Sequence, residues 1–370
     1  MNERPSVAQS SIVPRSSRAV RAILALLTGA VAGTCALPVA AVHAAAFPIS
    51  VRHQWPIGRP GIPGGLIVAP DGGHAYLGVG RAIVAYDAVS LATTASIRLP
   101  GTVEDLTIAA DGVRAYAALR DVNAIALLGL DPLRLLGTWR LRYAPSALLL
   151  DPTTGSLYVQ SAAAHRLSEL DATTGRVRAH LRLAGRLQQM AANGYGALFV
   201  AVADRDAVDV VDTRTLRLTG AYPVRRCAGP SGLALDPVGR RLFVACRSGG
   251  VAVIDTDIGF TFESLPGPPG ASRGVFVRSP TGVDGWKGAA FFATRRGVLH
   301  AVRMFAFIRY AGGGRLLLPR GGAAMAFDPR RHRLWLATVP ADGSGATGSL
   351  LILGAAAPAR APAPATGVRP

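Results

Sequence analysis

A repeat of about forty residues recurs along most of the 370-residue chain and limits the folds open to it. Each copy contains a short apolar run that ends at a turn. Seven copies can be aligned on that turn, at Asp71, Asp111, Asp151, Asn193, Asp236, Ser279 and Asp328. Successive turns are 40, 40, 42, 43, 43 and 49 residues apart. Self-similarity of this length indicates an array of supersecondary units, either a solenoid or a propeller.

The interior of each copy consists of short apolar segments. In the fifth copy, segment 233–236 leads into the turn, 242–245 follows it, and 251–255 ends in an aspartate. A fourth segment closes the unit, as 95–99 does in the first copy. The chain contains 43 glycines and 26 prolines and has no amphipathic stretch long enough for a helical repeat. Four short strands per copy predict one blade of a β-propeller.

The two ends of the repeat array predict how the ring closes. The seventh copy supplies three strands, at 323–327, 333–338 and 349–353, and an unassigned strand at 49–55 precedes the first full copy. We expect that strand to complete the last blade, which removes an exposed sheet edge. The predicted fold is an all-β, seven-bladed propeller of four-stranded antiparallel blades over residues 47–354. An Ala/Pro-rich tail, 355–370, is expected to be disordered.

The N-terminal segment is organised like an export signal. Residues 1–21 contain four arginines, residues 22–33 are apolar, and small residues follow, with candidate cleavage sites after Ala44 and Ala46. This pattern predicts a secretory signal peptide over residues 1–44 and a periplasmic or secreted mature protein. The apolar part is shorter than the roughly 20 residues that span a bilayer, so no membrane span is expected after cleavage. Acylation of Cys35 is the alternative, although no bulky aliphatic residue lies three positions before it.

The fifth copy carries the motifs that point to a family. It begins with Gly-Pro-Ser-Gly at 229–232, continues through Leu-Phe-Val-Ala at 242–245 and ends with Val-Ala-Val-Ile-Asp at 251–255. This pattern resembles the YVTN family of β-propeller repeats, and the likeness weakens in the sixth and seventh copies. The resemblance implies a rigid seven-bladed disc, often a binding platform or a partner subunit of a redox complex in exported proteins. Likeness of fold alone transfers no activity.

Arginine dominates the charge of the chain. The formal net charge is +18, and Lys287 is the single lysine among 40 basic residues. The loops between the second and third predicted strands carry Arg81, Arg120, Arg166, Arg205, Arg247, Arg295 and Arg296. The loops from each fourth strand to the next first strand add Arg142, Arg186, Arg225, Arg226, Arg273 and Arg320. In a propeller both sets of loops open on one face, which would therefore bear a ring of arginines.

Such a face suits anions. Guanidinium groups bind carboxylate or phosphate groups and attract acidic surfaces, so we expect an acidic protein partner or an anionic small ligand. Ordinary solvated charge is the alternative, because about one residue in nine is arginine. The same side is expected to hold carboxylates that neutralise part of the ring, namely Glu104, Asp105, Asp121, Asp204 and Asp206.

Two cysteines, Cys227 and Cys246, remain after removal of the predicted signal peptide. Antiparallel pairing of the first two strands of the fifth copy brings them to the same end of the blade. Because an exported protein is in an oxidising compartment, we expect a disulfide, with two buried thiols as the alternative. The pair fits neither a haem attachment motif nor a structural zinc site.

The sequence indicates no catalytic residues, metal site or cofactor. The six histidines after residue 44 are spread over several copies without a repeated metal-ligand spacing, and the common nucleophile, phosphate-loop and zinc-protease motifs are absent. We therefore expect a noncatalytic binding or scaffold module. The enzyme alternative is a lactone-hydrolase-like or redox-associated propeller, with Glu104 and Asp105 at the mouth of the central channel. Export and the lack of clustered aromatic residues argue against a nucleic-acid partner in the cell.

Overall fold

The computed structural model describes residues 49–59, 61–109, 111–151, 153–278, 287–306, 308–339 and 347–355. In this part of the chain, 28 strands form seven four-stranded antiparallel sheets in a ring, without helices. The predicted seven-bladed β-propeller is therefore confirmed. The expected signal peptide lies outside the described residues, as does the expected tail except for Ala355, which ends the last strand.

The first four blades each take four strands in chain order. Blade 1 consists of β2 (Pro63–Val68), β3 (His74–Val79), β4 (Ala82–Asp87) and β5 (Thr93–Arg98). Blade 2 consists of β6 (Val103–Ile108), β7 (Arg114–Leu119), β8 (Ala124–Leu130) and β9 (Leu133–Arg140). Blade 3 consists of β10 (Ala147–Asp151), β11 (Ser156–Ser161), β12 (Arg166–Asp171) and β13 (Val177–Arg182). Blade 4 consists of β14 (Leu187–Ala192), β15 (Ala197–Val202), β16 (Ala207–Asp212) and β17 (Arg217–Pro223).

The last three blades follow the same plan, but blade 7 combines both ends of the array. Blade 5 consists of β18 (Pro230–Asp236), β19 (Arg241–Cys246), β20 (Val251–Asp255) and β21 (Thr261–Leu265). Blade 6 consists of β22 (Ala271–Arg278), β23 (Gly288–Thr294), β24 (Val298–Ala306) and β25 (Arg309–Leu317). Blade 7 consists of β26 (Gly321–Asp328), β27 (Arg333–Val339), β28 (Ser349–Ala355) and β1 (Ile49–Pro56).

Strand β1 closes the ring as predicted. It pairs antiparallel with β28 in a register that runs from Ile49 opposite Ala355 to Pro56 opposite Ser349. Where blade 7 meets blade 1, the guanidinium of Arg331 in blade 7 donates to the carbonyl of Gly72 in blade 1. Sheet pairing and a side-chain bond therefore both join the last blade to the rest of the disc.

An apolar cluster fills each interface between neighbouring blades. Successive residues of a strand point to opposite sides of its sheet, so each blade packs against both neighbours. In β3, Leu77 and Val79 pack with Trp335 of blade 7, whereas Tyr76 packs with the cluster shared with blade 2. The core is thus divided into seven slices, and the strand ends and loops carry most of the chemistry.

A tyrosine in the second strand of blades 1 to 3 crosses to the next blade. Each hydroxyl donates to a backbone carbonyl at or just after the end of the neighbour's third strand. The bonds run from Tyr76 to Leu130, from Tyr116 to Ala172 and from Tyr158 to Thr213, at 3.4, 2.5 and 2.8 Å. Burial raises the pKa of Tyr158 to about 12, so this donor keeps its proton at neutral pH. The tyrosine of the repeat therefore fastens one blade to the next.

Replacing Tyr158 by phenylalanine tests this fastening. Tyr158→Phe leaves the Thr213 carbonyl without its donor, so we expect the free energy of unfolding to fall by about 1–2 kcal/mol. Tyr195→Phe is the matched control, because Tyr195 is 76% exposed and its loss of a hydroxyl should change little. Chemical denaturation gives both values, and equal effects of the two substitutions would contradict the assignment.

Candidate functional site: the arginine-bearing face

The face that carries the predicted arginines is defined by two kinds of loop. One kind joins the second and third strands of a blade, and the other joins one blade to the next. Backbone bonds connect them, as where Val103 donates to the Gly80 carbonyl at 2.8 Å and Arg247 donates to that of Gly229 at 2.9 Å. We call this side of the disc the arginine face. Six of the seven predicted arginines lie in its loops, and Arg166 is the first residue of β12.

Three of these arginines are engaged with carboxylates of the protein itself. Nη2 of Arg81 lies 3.9 Å from a carboxylate oxygen of Asp121 and also donates to the Pro100 carbonyl. Nη1 of Arg120 lies 3.7 Å from a carboxylate oxygen of Glu104. Nη1 of Arg205 lies 3.3 Å from a carboxylate oxygen of Asp209. The last carboxylate is completely buried, and burial raises its pKa while the nearby guanidinium lowers it. These three arginines therefore neutralise carboxylates of the protein itself and are less available to a ligand.

Arg166 contacts an aromatic ring instead of a carboxylate. Its guanidinium carbon lies 4.7 Å from the centre of the Tyr143 ring, which is a cation–π contact. Within the described residues its Nε is buried without a hydrogen-bond partner. Together with exposed Arg142, it lowers the pKa of His180, for which burial is the larger cause. This positive corner lies at the blade 2–blade 3 boundary.

The remaining predicted arginines are free. Arg247, Arg295 and Arg296 are exposed, and no carboxylate oxygen of the described residues lies within 4.0 Å of their guanidinium groups. Arg225 and Arg226, in the loop that enters blade 5, are exposed and unpaired in the same sense. We call these five residues the free arginine sector. It occupies the arginine face over blades 5 and 6.

Hydrogen bonds tie the blade 5 loops of this sector to their neighbours. The Gly270 amide, in the loop between blades 5 and 6, donates to the Arg247 carbonyl at 3.1 Å. Ser264 Oγ donates to the Arg225 carbonyl at 3.4 Å. Elsewhere on the face, exposed arginines lie in the loops before blades 1, 3 and 4, at Arg59, Arg142 and Arg186, and at the ends of three fourth strands, at Arg98, Arg140 and Arg182. Unpaired positive charge therefore lies at several places around the ring, and the free arginine sector is the group over blades 5 and 6.

The carboxylates on this face hold loops in place. Asp121 accepts hydrogen bonds from the amide and hydroxyl of Thr102, at 2.6 and 3.1 Å. Asp204 accepts from the Arg186 amide at 2.6 Å, and this bond is the main cause that lowers the pKa of Asp204. Asp206 accepts from the amide of Gly229 at 2.7 Å. They neutralise part of the face, as expected, but none forms an ion pair with the free arginine sector.

The mouth of the central channel is crossed by an internal polar network. Asp105, 8% exposed, accepts from the amides of Leu106 and Leu148, at 3.0 and 2.9 Å. Nη1 of Arg273, on the first strand of blade 6, lies 3.7 Å from the same carboxylate. Burial raises the pKa of Asp105, and the Arg273 charge is the largest influence that lowers it. A pair thus joins blades 2 and 6.

Gln189 of blade 4 bonds to the backbone of blades 5 and 6. Its Nε2 donates to the Gly274 carbonyl at 2.9 Å, and its Oε1 accepts from the amides of Gly274 and Leu233, at 2.8 and 3.0 Å. Irregular pairing at the start of β6, β14 and β22 places these side chains at the channel mouth. Sequence reasoning missed Gln189, because a bulge in an apolar strand leaves no distinct sequence signal.

A disulfide lies beneath the free arginine sector. The structure joins Cys227 and Cys246, with sulfur atoms 1.95 Å apart and Cα atoms 5.2 Å apart. Both residues are buried. The bond connects the loop that enters blade 5 to the end of β19, which is the arrangement the sequence predicted.

The other face carries concave surface. Two cavities of about 520 and 260 Å³ adjoin the exposed Tyr195 ring, in the turns between first and second strands.

Among the described residues no group of three His, Cys, Asp or Glu side chains could hold a metal ion. The same residues include no helix long and apolar enough to cross a membrane. A scan against models of protein families finds no match to the chain, and a search of curated proteins finds none either.

Proposed function

We propose that this propeller is an exported, noncatalytic binding module whose arginine face receives an acidic surface of a partner protein. The free arginine sector carries the proposal. Like charges repel. If these residues had only a structural role, we would expect each to lie beside a carboxylate, as Arg120 lies beside Glu104 and Arg205 beside Asp209. Exposed, unpaired guanidinium groups are available to carboxylates from outside.

The extent of the free arginine sector, which covers loops of two blades, favours a protein over a small ligand. Small-molecule sites are concave and bury most of the ligand. The two cavities around Tyr195 lie on the opposite face, away from the free arginine sector. A broad, exposed set of arginines suits a protein surface, where charge complementarity sets orientation and speeds association.

Export and family membership belong to the same proposal. The segment 1–44 has the composition of a signal peptide, and the Cys227–Cys246 disulfide suits an oxidising compartment. The seven blades agree with the YVTN-like repeat, whose tyrosine is the cross-blade donor in blades 1 to 3. We propose that the chain is an exported member of that family.

The enzyme alternative has less support. A hydrolytic site at the channel mouth would use Glu104 and Asp105, the acidic residues at that entrance. Glu104 lies 3.7 Å from Arg120, and Asp105 accepts two backbone amides beside Arg273. Both carboxylates therefore have internal partners, and the free cationic groups lie elsewhere on the face.

Charge removal tests the proposal. We expect replacement of the five free arginines by glutamine to weaken binding to poly-glutamate by roughly 100-fold, as the sum of modest exposed ion pairs. The matched control removes five positive charges from the opposite face, at Arg134, Arg176, Arg214, Arg217 and Arg309. It should change the affinity by less than about threefold. Isothermal titration gives both values, and equal losses would show that net charge alone governs binding.

A further inference from the structure

Each cysteine of the disulfide has an arginine of the free arginine sector as a direct neighbour in sequence. Arg226 immediately precedes Cys227, and Arg247 immediately follows Cys246. The bridge holds the two cysteine Cα atoms 5.2 Å apart. Two cationic residues from different loops are therefore each one residue from the same covalent link.

Backbone hydrogen bonds extend this link along both loops. Ser248 donates from its amide to the Ala228 carbonyl at 3.1 Å, and the Ala228 amide donates back to Ser248 Oγ at 3.1 Å. Arg247 donates to the Gly229 carbonyl at 2.9 Å. The two loops form one connected unit from which the arginine side chains project.

The side chains and backbone show further adaptation at this point. The stem of Arg247 lies over Gly229, where an added Cβ would come 3.1 Å from the Arg247 Cβ. Arg226 has a φ of +57°, which is uncommon for a residue other than glycine. Every other such residue of the described chain lies in a hairpin turn within a blade, whereas Arg226 lies in a loop between blades. Unusual backbone of this kind is often found at ligand clamps.

The link holds together two loops that carry like-charged residues, Arg226 and Arg247, and like charges repel. No carboxylate of the described residues lies within 4.0 Å to relieve this repulsion. We propose that the Cys227–Cys246 disulfide is a positioning device, which holds Arg226 and Arg247 as a two-arginine clamp for adjacent carboxylates of an acidic protein segment. This inference rests on the proposed function. Preorganisation of this kind raises affinity by reducing the ordering cost at binding.

The test compares disulfide removal in two backgrounds, with poly-glutamate as the probe. In the otherwise unchanged protein, Cys227→Ala with Cys246→Ala should weaken binding about tenfold. In a protein that already carries Arg226→Gln and Arg247→Gln, the same cysteine changes should weaken binding less than about twofold. Equal losses in both backgrounds, or no loss in either, would overturn the clamp.

A double-mutant cycle in the disulfide-bonded protein keeps the test decisive if the cysteine variant does not fold. Arg226→Gln and Arg247→Gln should each weaken binding about fivefold, and together by clearly less than the product, because they share one acidic segment. Multiplicative effects would contradict a shared clamp while leaving the proposed function intact. If neither substitution weakens binding, and the five-arginine variant also behaves like its opposite-face control, the proposed function itself fails.

Discussion

A chain that lacks residues 49–56 is expected to lose about 4 kcal/mol or more of its free energy of unfolding. Those residues form β1, and their removal leaves blade 7 with three strands and exposes the edge of β28. The ladder between the two strands is lost, and each of its hydrogen bonds contributes on the order of 1 kcal/mol net. An uncovered strand edge also promotes association between chains.

The measurement compares chemical denaturation of a chain that begins at residue 45 with one that begins at residue 57. A synthetic peptide of residues 49–56, added to the shorter chain, should restore stability, whereas a peptide of scrambled order should not. Unchanged stability of the shorter chain would show that β1 is not required for ring closure.

Gly64→Ala is expected to cost about 4 kcal/mol or to prevent folding. A Cβ at Gly64 would lie 2.0 Å from the Val103 carbonyl oxygen, which belongs to the backbone of the next blade. Neither atom can move without separating the innermost strands β2 and β6, which lie next to each other around the channel. Overpacking that displaces backbone is among the more damaging single changes.

Gly137→Ala is the control for that substitution. Gly137 also lies in a strand, β9, but an added Cβ there meets no atom within 4 Å. Its replacement should leave stability unchanged or raise it by up to about 1 kcal/mol through the unfolded chain. Thermal unfolding measures both variants. Equal stability of the two would contradict the close approach of β2 to β6 at Gly64.

Much of the fold could be predicted because it depends on local pattern. The forty-residue period, the turn aspartates and the unassigned strand at 49–55 are readable from the chain itself, and the blades and their closure follow them. The tyrosine bonds could not be read in this way. They require the spatial offset between neighbouring blades, which places Tyr158 beside the Thr213 carbonyl.

The candidate site was only partly predictable. Topology alone places the loop arginines on one face, but their pairing depends on strand residues such as Asp209, whose burial beside Arg205 is a tertiary fact. The ion pair between Asp105 and Arg273 connects residues that are far apart in sequence, on blades 2 and 6. The structure therefore separates the paired arginines of this face from the exposed, unpaired ones, five of which form the free arginine sector.

Hydrogen exchange in the presence of poly-glutamate tests the location of binding most directly. We expect backbone amides in loops 225–229, 247–250 and 295–297 to exchange more slowly when the probe is bound, and this protection to disappear at high salt. Amides on the opposite face, around 193–196 and 237–240, should be unaffected. Protection of those opposite-face loops, with the free arginine sector unchanged, would contradict binding at the arginine face.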